Sequence, residues 1–212
     1  MLKALFYPDK DFDTLFIPYI YKEIYFDNLY VDVLNEQKDM IIIDAGANIG
    51  LITDHMRPHA KKIYAIEPAS DHFEALQKNK DYNKWDNVEL FKMALSGVDG
   101  ETRLYKNLKN RTCHSLVTDW GFKRSEPVKT MRIDTFMKEN KIEKVDFLKL
   151  DVEGSENLIL PSESFRNVCE NIKAVEVEFH FKTFPMLVEH MEQLGYKSRR
   201  YPCSAIVFLF TR

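Results

Sequence analysis

Cysteine is scarce in this sequence: its 212 residues include only Cys113, Cys169 and Cys203, which are widely separated and follow no metal-binding spacing. We interpret them as reduced thiols, which predicts a cytoplasmic protein. The first residues contain neither the apolar core nor the cleavage site of an export signal. The apolar run from Ala205 to Phe210 is far shorter than the ~20 residues that span a bilayer. These absences predict a protein without a membrane span.

Glycine and proline are also few, and the sequence has no long run of one charge. The chain has 7 Gly and 8 Pro, is 45% hydrophobic and 30% charged, and carries a formal net charge of −3 with both signs interspersed. This composition is typical of a globular protein rather than a disordered chain or a repeat array. Because no basic face is indicated, we expect no binding of nucleic acid. The length fits one domain with a small appendage.

Aromatic residues crowd the first 39 residues, which contain no glycine. Apolar residues recur at helical spacing from Tyr19 to Leu34, which predicts a helix. We therefore divide the chain into a small N-terminal helical cap, residues 1–39, and a main domain, residues 40–212. The cap is expected to pack on the main sheet, partly over its ligand face. Its aromatic side chains could serve packing alone or contact with a substrate.

From residue 40 onward, short apolar runs alternate with segments of helical spacing. The predicted strands are Ile41–Asp44, Lys62–Glu67, Val88–Ala94, Val145–Leu150, Ile172–Phe179, Tyr196–Arg200 and Ala205–Phe210. The predicted helices are Ile49–His59, Ser70–Tyr82, Asp134–Asn140 with Asp134 as its cap, one ending near Leu160, and Phe184–Leu194. This alternation predicts a mostly parallel sheet with helices on both faces.

One region departs from this alternation. Gly97 to Lys106 has an Asp-Gly turn signal followed by alternating residues, which predicts an inserted strand. Residues 107–127 are polar and irregular and predict a long surface loop, and Val128–Ile133 is strand-like. Loops of this length in compact domains are usually functional or mobile.

The segment Met40-Ile-Ile-Ile-Asp-Ala-Gly-Ala-Asn-Ile-Gly50 joins the first strand to a helix. Gly46 lacks the Cβ that would keep a ligand from the backbone, and Gly50 is expected to let the helix pack close to its strand. Ligands of parallel sheets lie at the carboxyl ends of the strands. Four acidic residues are predicted at that rim: Asp44, Glu67, Asp151 and Glu178.

The glycine spacing does not favour a dinucleotide. In the G-x-G-x-x-G pattern counted from Gly46, Asn48 and Leu51 replace the second and third glycines, so a pyrophosphate has no suitably bare backbone. Glu67, 21 positions after Gly46, is instead placed to accept both hydroxyls of a ribose, although an acidic residue at the start of a helix is the alternative. A nucleoside with a cationic centre fits this acidic rim, and S-adenosylmethionine is such a molecule.

Several segments together resemble the FkbM family of S-adenosylmethionine-dependent methyltransferases, over about residues 40 to 195. They are Asp44-Ala-Gly-Ala-Asn-Ile-Gly50, Glu67-Pro68, Asn87-Val88, Ala94-Leu-Ser-Gly97, Asp134 after Arg132-Ile133, Phe147-Leu-Lys-Leu-Asp-Val-Glu-Gly-Ser-Glu156 and Glu176-Val-Glu-Phe-His180. The resemblance implies a class I methyltransferase (Rossmann-like) α/β fold with a seven-stranded, mostly parallel sheet and an antiparallel last strand. It also implies that O-methyl transfer is the commonest activity.

The resemblance further implies which residues bind the cofactor. Gly46, Ala47, Asn48 and Gly50 would form the turn under its methionine part, and Asp44 would hold that turn and attract the ammonium. Glu67 with Pro68 would take the ribose, and Ala94 and Leu95 would lie near the adenine. Asp151 would face the middle of the rim, where the methyl group is presented, and Glu153 would begin the next helix, where an ordinary helix-start residue is the alternative. Transfer to a hydroxyl requires alignment and removal of a proton. We therefore predict Asp151 and His180 as catalytic, His180 as the base because imidazole titrates near neutrality.

Several alternatives remain open from the sequence. His180 could be a structural histidine, and His114 is a weaker candidate for the base. A cation could bind among Asp151, Glu153, Glu178 and His180, but the spacing does not demand it, and we predict no metal. A nicotinamide-dependent oxidoreductase and a non-catalytic binding module are rival functions. The expected acceptor is a hydroxyl of a small molecule, a sugar or glycan, or a lipid, with an amine less favoured.

Overall fold

The computed structural model describes residues 5–6, 18, 21–22, 30–35, 37–107, 114–117, 124–180 and 184–212. A sheet of seven strands forms its centre, in the order β3-β2-β1-β7-β8-β10-β9. The strands of this sheet are β1 Met40–Ala45, β2 Ala60–Ile66, β3 Val88–Phe91, β7 Val145–Leu150, β8 Ile172–Glu178, β9 Lys197–Arg200 and β10 Val207–Thr211. The helices in this part of the chain are α1 Val31–Leu34, α2 Leu51–Met56, α3 Ser70–Asn83, α4 Ile133–Glu139, α5 Glu156–Ile159, α6 Glu163–Val168 and α7 Phe184–Gln193.

The strand directions confirm the class I methyltransferase fold. The pairs β1–β2, β1–β7, β2–β3 and β7–β8 are parallel, whereas β10, the last strand, runs antiparallel to both β8 and β9. Parallel neighbours need a crossover between them, and helices in the intervening segments cover the sheet. The carboxyl ends of β1, β2, β7 and β8 therefore meet at one rim.

Two apolar clusters pack on opposite faces of the sheet. Ile42 and Phe147 belong to one cluster, and the next residue on each strand, Ile43 or Leu148, belongs to the other. Side chains alternate between the faces of a strand, so an apolar residue at every position is what a sheet covered on both sides requires. This explains why β1 and β7 read as continuous apolar runs.

A smaller three-stranded sheet, in the order β4-β6-β5, stands beside the main one. Its strands are β4 Ala94–Leu95, β5 Gly100–Lys106 and β6 Arg124–Met131. The prediction of an inserted strand at 97–106 is confirmed. Two others were wrong: the third core strand ends at Phe91 instead of Ala94, and β6 takes residues 124–127 from the predicted loop. Residues 108–113 and 118–123 of that loop lie outside the described chain.

The N-terminal segment is anchored at a few described positions. The backbone N–H of Phe6 donates to the Asn79 side chain, which donates in turn to the carbonyls of Phe6 and Ile49 at 2.8 Å each. Tyr30 packs edge-on against Phe147, with ring centroids 6.4 Å apart. Its φ of 75° is incompatible with a helix, so a continuous helix from Tyr19 to Leu34 was a wrong prediction.

Some helix ends also differ from prediction. The helix after β1 begins at Leu51, and its last turn, Arg57–His59, is a 3₁₀ helix. Arg132, not Asp134, is the N-cap of α4. Ser162 caps α6, which the sequence did not predict, by accepting a hydrogen bond from the Phe165 N–H. Within the described part of the chain, no helix has the length and apolarity to cross a membrane.

Candidate functional site

The turn between β1 and α2 is built from left-handed residues. Gly46, Asn48 and Gly50 have φ values of 81°, 53° and 92°. A Cβ on Gly46 would lie 1.8 Å from the backbone oxygen of Asp151. Glycine is therefore required where the ends of β1 and β7 meet, in addition to any effect on a ligand.

Gly50 has a packing function that differs from the predicted one. A Cβ there would lie 2.6 Å from the Leu76 side chain and 2.8 Å from the Trp85 ring. Both neighbours lie on or just after α3. Gly50 therefore lets the turn approach α3, where the sequence had suggested close packing of α2 on its own strand.

Glu67, directly after β2, joins the turn that follows β1 to the start of α3. One carboxylate oxygen accepts from the Asn48 N–H and the other from the Ala69 N–H, both at 2.8 Å. Burial raises the pKa of Glu67 to about 7, with the two backbone donors opposing that rise. Each carboxylate oxygen has a second acceptor position, so the side chain can still accept two hydrogen bonds from a ligand.

A buried charge network lies beneath the turn. Asp44 is fully buried and accepts a 2.6 Å hydrogen bond from the Thr53 hydroxyl. Lys149, also buried, has its Nζ 3.6 Å from Asp44 and 3.3 Å from Asp151, and donates to the Gly46 carbonyl at 3.2 Å. Burial alone would lower the pKa of Lys149, but the charges of Asp151 and Asp44 outweigh it and raise that pKa. Lys149 thus joins the ends of β1 and β7.

We expect Thr53→Val to destabilise the protein by about 2 kcal/mol, because Asp44 is buried and would lose its charged hydrogen bond. Thr135→Val is the matched control, since the Thr135 hydroxyl bonds to Asp99 at an exposed position. Urea denaturation of both variants measures the difference. Equal free energies of unfolding for the two variants would contradict the assigned role of Asp44.

His180, just after β8, is surrounded by carboxylates. Its Nδ1 lies 3.1 Å from the buried Glu156, and its Nε2 lies 3.3 Å from Glu153 and 3.9 Å from Asp151. Burial lowers the pKa of His180, but the bond to Glu156 and the nearby negative charges raise it to about 10. The imidazole therefore holds a proton at neutral pH. Its predicted role as a base stays a prediction, and it requires that this proton first be lost.

Glu67, Asp151 and the turn at Gly46 and Asn48 border an open cavity that encloses about 570 Å³ of empty space, part of it continuous with solvent. The predicted residues on its wall are Gly46, Asn48, Glu67, Pro68, Ala94, Leu95, Asp151 and Glu153. Four others are not on that wall: Asp44, Ala47, Gly50 and His180. Asp44 lies beneath the turn and His180 beside Asp151 and Glu153.

The inserted region forms part of the wall that sequence reasoning missed. The cavity is lined by three residues of this region, Leu104, His114 and Leu116, and by His72 of α3. The rings of His72 and His114 stack with centroids 4.8 Å apart. The Ser115 hydroxyl donates to the Glu153 carbonyl at 2.7 Å and so fastens this wall to the end of β7. His114 was predicted only as a weaker candidate for the base, and the sequence held no signal for His72.

Comparison with known proteins places the chain in a family. The chain is 30% identical to methyltransferase sdnD of Sordaria araneosa over 67% of each chain. It is 26% identical to hexuronic acid methyltransferase AglP of Haloferax volcanii over 68% of this chain and 57% of that one. It thus spans about two thirds of the length of sdnD and 57% of AglP.

Solved structures agree with the fold. One is magnesium protoporphyrin IX methyltransferase from Synechocystis PCC 6803, solved with bound SAM. It superposes with a TM-score of 0.52 at 10% identity, over 90% of this chain and 78% of that one. The sequence profile of the methyltransferase FkbM domain matches residues 44–198. The chain therefore belongs to the FkbM methyltransferase family.

Proposed function

We propose that this chain transfers the methyl group of S-adenosylmethionine to a hydroxyl of a sugar, another small molecule or a lipid. The observation that carries the proposal is Glu67, a buried carboxylate on the cavity wall with an acceptor position left on each oxygen. A vicinal diol such as that of ribose donates two hydrogen bonds and matches this arrangement. The named activity of AglP supports a sugar as the acceptor.

The residues on the cavity wall fit this cofactor. S-adenosylmethionine supplies a methyl group that its sulfonium has already activated. Glu67 would hold the ribose hydroxyls, and Ala94 with Leu95 would border the adenine. The left-handed turn at Gly46 and Asn48 would lie against the methionine part, and the carboxylate of Asp151 would favour its positive charge. Each of these side chains or backbone segments borders the same cavity.

The protein must also align the acceptor and remove its proton. An oxygen lone pair of the acceptor forms the new bond to the methyl carbon while the electron pair of the C–S bond passes to sulfur. The sulfur would become the neutral thioether of S-adenosylhomocysteine, and a base of the protein would take the hydroxyl proton. Asp151 lies on the wall with an exposed side-chain fraction of 30% and is placed to orient the hydroxyl. His180 is the proposed base only in its unprotonated form.

A methyl-transfer assay with labelled S-adenosylmethionine and a panel of uronic acid glycosides, simple sugars, lipid alcohols and amines tests the acceptor class. We expect label in at least one hydroxyl compound, and far less with Asp151→Asn. Binding of S-adenosylhomocysteine without any methylated product would favour the non-catalytic alternative. Label found only in amines would contradict O-methylation. The nicotinamide alternative has no counterpart among the matches described above.

We expect binding of S-adenosylhomocysteine to depend on pH through Glu67. The raised pKa, about 7, means that the free protein holds a proton on Glu67 below this pH, and a diol that donates hydrogen bonds favours the ionised form. Affinity should fall with decreasing pH below about 7, by up to about tenfold per unit, and level off above it. Calorimetry at pH 6 in two buffers of different ionisation enthalpy should show proton release. A flat profile from pH 6 to 8 would refute this role of Glu67.

A further inference from the structure

Asp151, Glu178 and His180 form a cluster at the carboxyl ends of β7 and β8. One potential ligand atom from each lies within 4.8 Å of the other two. We infer that this cluster binds a divalent cation at the edge of the cavity and that the cation holds the acceptor hydroxyl. The catalytic part of this inference rests on the proposed function, whereas cation binding itself does not. The sequence had predicted no metal.

The orientation of His180 is the first argument for a cation. Nδ1 lies 3.1 Å from Glu156 Oε1, while Nε2 faces the cluster. Histidines that ligate metals usually donate their other ring N–H to a carboxylate, which fixes the tautomer and aims the free nitrogen. Glu156 is fully buried, and its second oxygen has no hydrogen-bond partner among the described residues. A buried carboxylate that orients an imidazole in this way is typical of the second shell of a metal.

The convergence of carboxylates is the second argument. Nε2 of His180 lies 3.8 Å from Glu178, 3.9 Å from Asp151 and 3.3 Å from Glu153. Lys149 contacts the Oδ2 atom of Asp151, so Oδ1 remains on the side of the cluster. Oxygen atoms of Asp151 and Glu178 therefore approach the same imidazole nitrogen, an arrangement that a divalent cation can bridge.

A second cluster, Asp71 with His72 and His114, also has ligand atoms within reach of one another. There Lys106 Nζ already lies 2.6 Å from Asp71 and 3.5 Å from Glu126, and it supplies the positive charge that a metal would otherwise bring. The cluster at Asp151 is therefore the better cation site.

Two carboxylate oxygens and one imidazole nitrogen suit a divalent transition-metal cation such as Mn²⁺. The cluster adjoins the cavity through Asp151, which lies on its wall. A cation there would have coordination positions left for an acceptor hydroxyl and would lower the pKa of that hydroxyl. The cation would displace the proton from Nε2 of His180, which would then act as a ligand, and proton removal from the acceptor would need no strong base.

The test is a titration of the chelator-treated protein with Mn²⁺, in which electron paramagnetic resonance measures the concentration of the free ion. We expect one saturable site in the wild type, and at least about tenfold weaker binding in Glu178→Gln and His180→Gln. Glu189→Gln, an exposed residue of α7, is the matched control and should bind as the wild type does. Circular dichroism checks that each variant is folded.

Two outcomes would overturn the inference: folded wild type with no saturable Mn²⁺ binding, or both cluster variants binding Mn²⁺ as tightly as the control. A parallel titration of the metal-free protein with S-adenosylhomocysteine separates the two proposals. S-adenosylhomocysteine binding without Mn²⁺ binding retains the proposed function and rejects the cation. Mn²⁺ binding without S-adenosylhomocysteine binding retains the cation site and rejects the proposed cofactor.

Discussion

Replacing Glu67 with alanine is expected to weaken binding of S-adenosylhomocysteine by at least about 100-fold. The reason is the loss of two hydrogen bonds from the ribose diol to a carboxylate, each contributing about 1.5 to 3 kcal/mol. The variant also loses the acceptor for the Asn48 and Ala69 N–H groups, which hold the cavity wall in place. Isothermal titration at pH 8, where the carboxylate is ionised, gives the largest difference.

Glu74→Ala is the control for this experiment, because Glu74 is an exposed residue of α3, the helix that follows Glu67. It should bind S-adenosylhomocysteine as the wild type does. Thermal unfolding without ligand shows how much of the Glu67→Ala effect comes from the wall itself. Wild-type affinity in a folded Glu67→Ala variant would show that the ribose lies elsewhere.

Replacing Gly46 with alanine is expected to lower the free energy of unfolding by at least about 4 kcal/mol. The new Cβ would lie 1.8 Å from the carbonyl oxygen of Asp151. This oxygen directly follows the last paired residue of β7, so the backbone there cannot move aside without disturbing the pairing with β1. The φ of 81° adds backbone strain for any residue with a side chain. Urea denaturation, or soluble yield if the variant does not fold, measures the effect.

Gly195→Ala isolates the contribution of the strain. Gly195 has a φ of 91°, and the nearest atom to a new Cβ is 3.8 Å away, at the Arg212 side chain. This variant should therefore lose only about 1 to 2 kcal/mol. Equal losses in the two variants would mean that the ends of β1 and β7 are not locked together as described.

The sequence predicted the central sheet because its signals are local. The strands β1 and β7 are buried on both faces and read as apolar runs, and each is followed at once by residues that favour a turn. The rim residues Glu67 and Asp151 could be placed because the carboxyl ends of parallel strands share one edge. The antiparallel last strand followed from the family resemblance.

Other features depend on contacts that no local pattern records. The two-residue strand β4 is too short to show a period and exists only because it pairs with β6. Lys149 stands inside an apolar strand, and its burial is explained by carboxylates from other segments, such as Asp44. The surroundings of His180 likewise come from distant segments, so the pKa expected for a free imidazole did not apply.

The most direct test of the central claim is a crystal structure of this chain with S-adenosylhomocysteine. We predict that the ribose hydroxyls lie within hydrogen-bond distance of both Glu67 oxygens, the methionine part against the turn at Gly46, and the sulfur on the side of Asp151. Ligand bound outside the cavity, or bound within it with the ribose away from Glu67, would contradict the account.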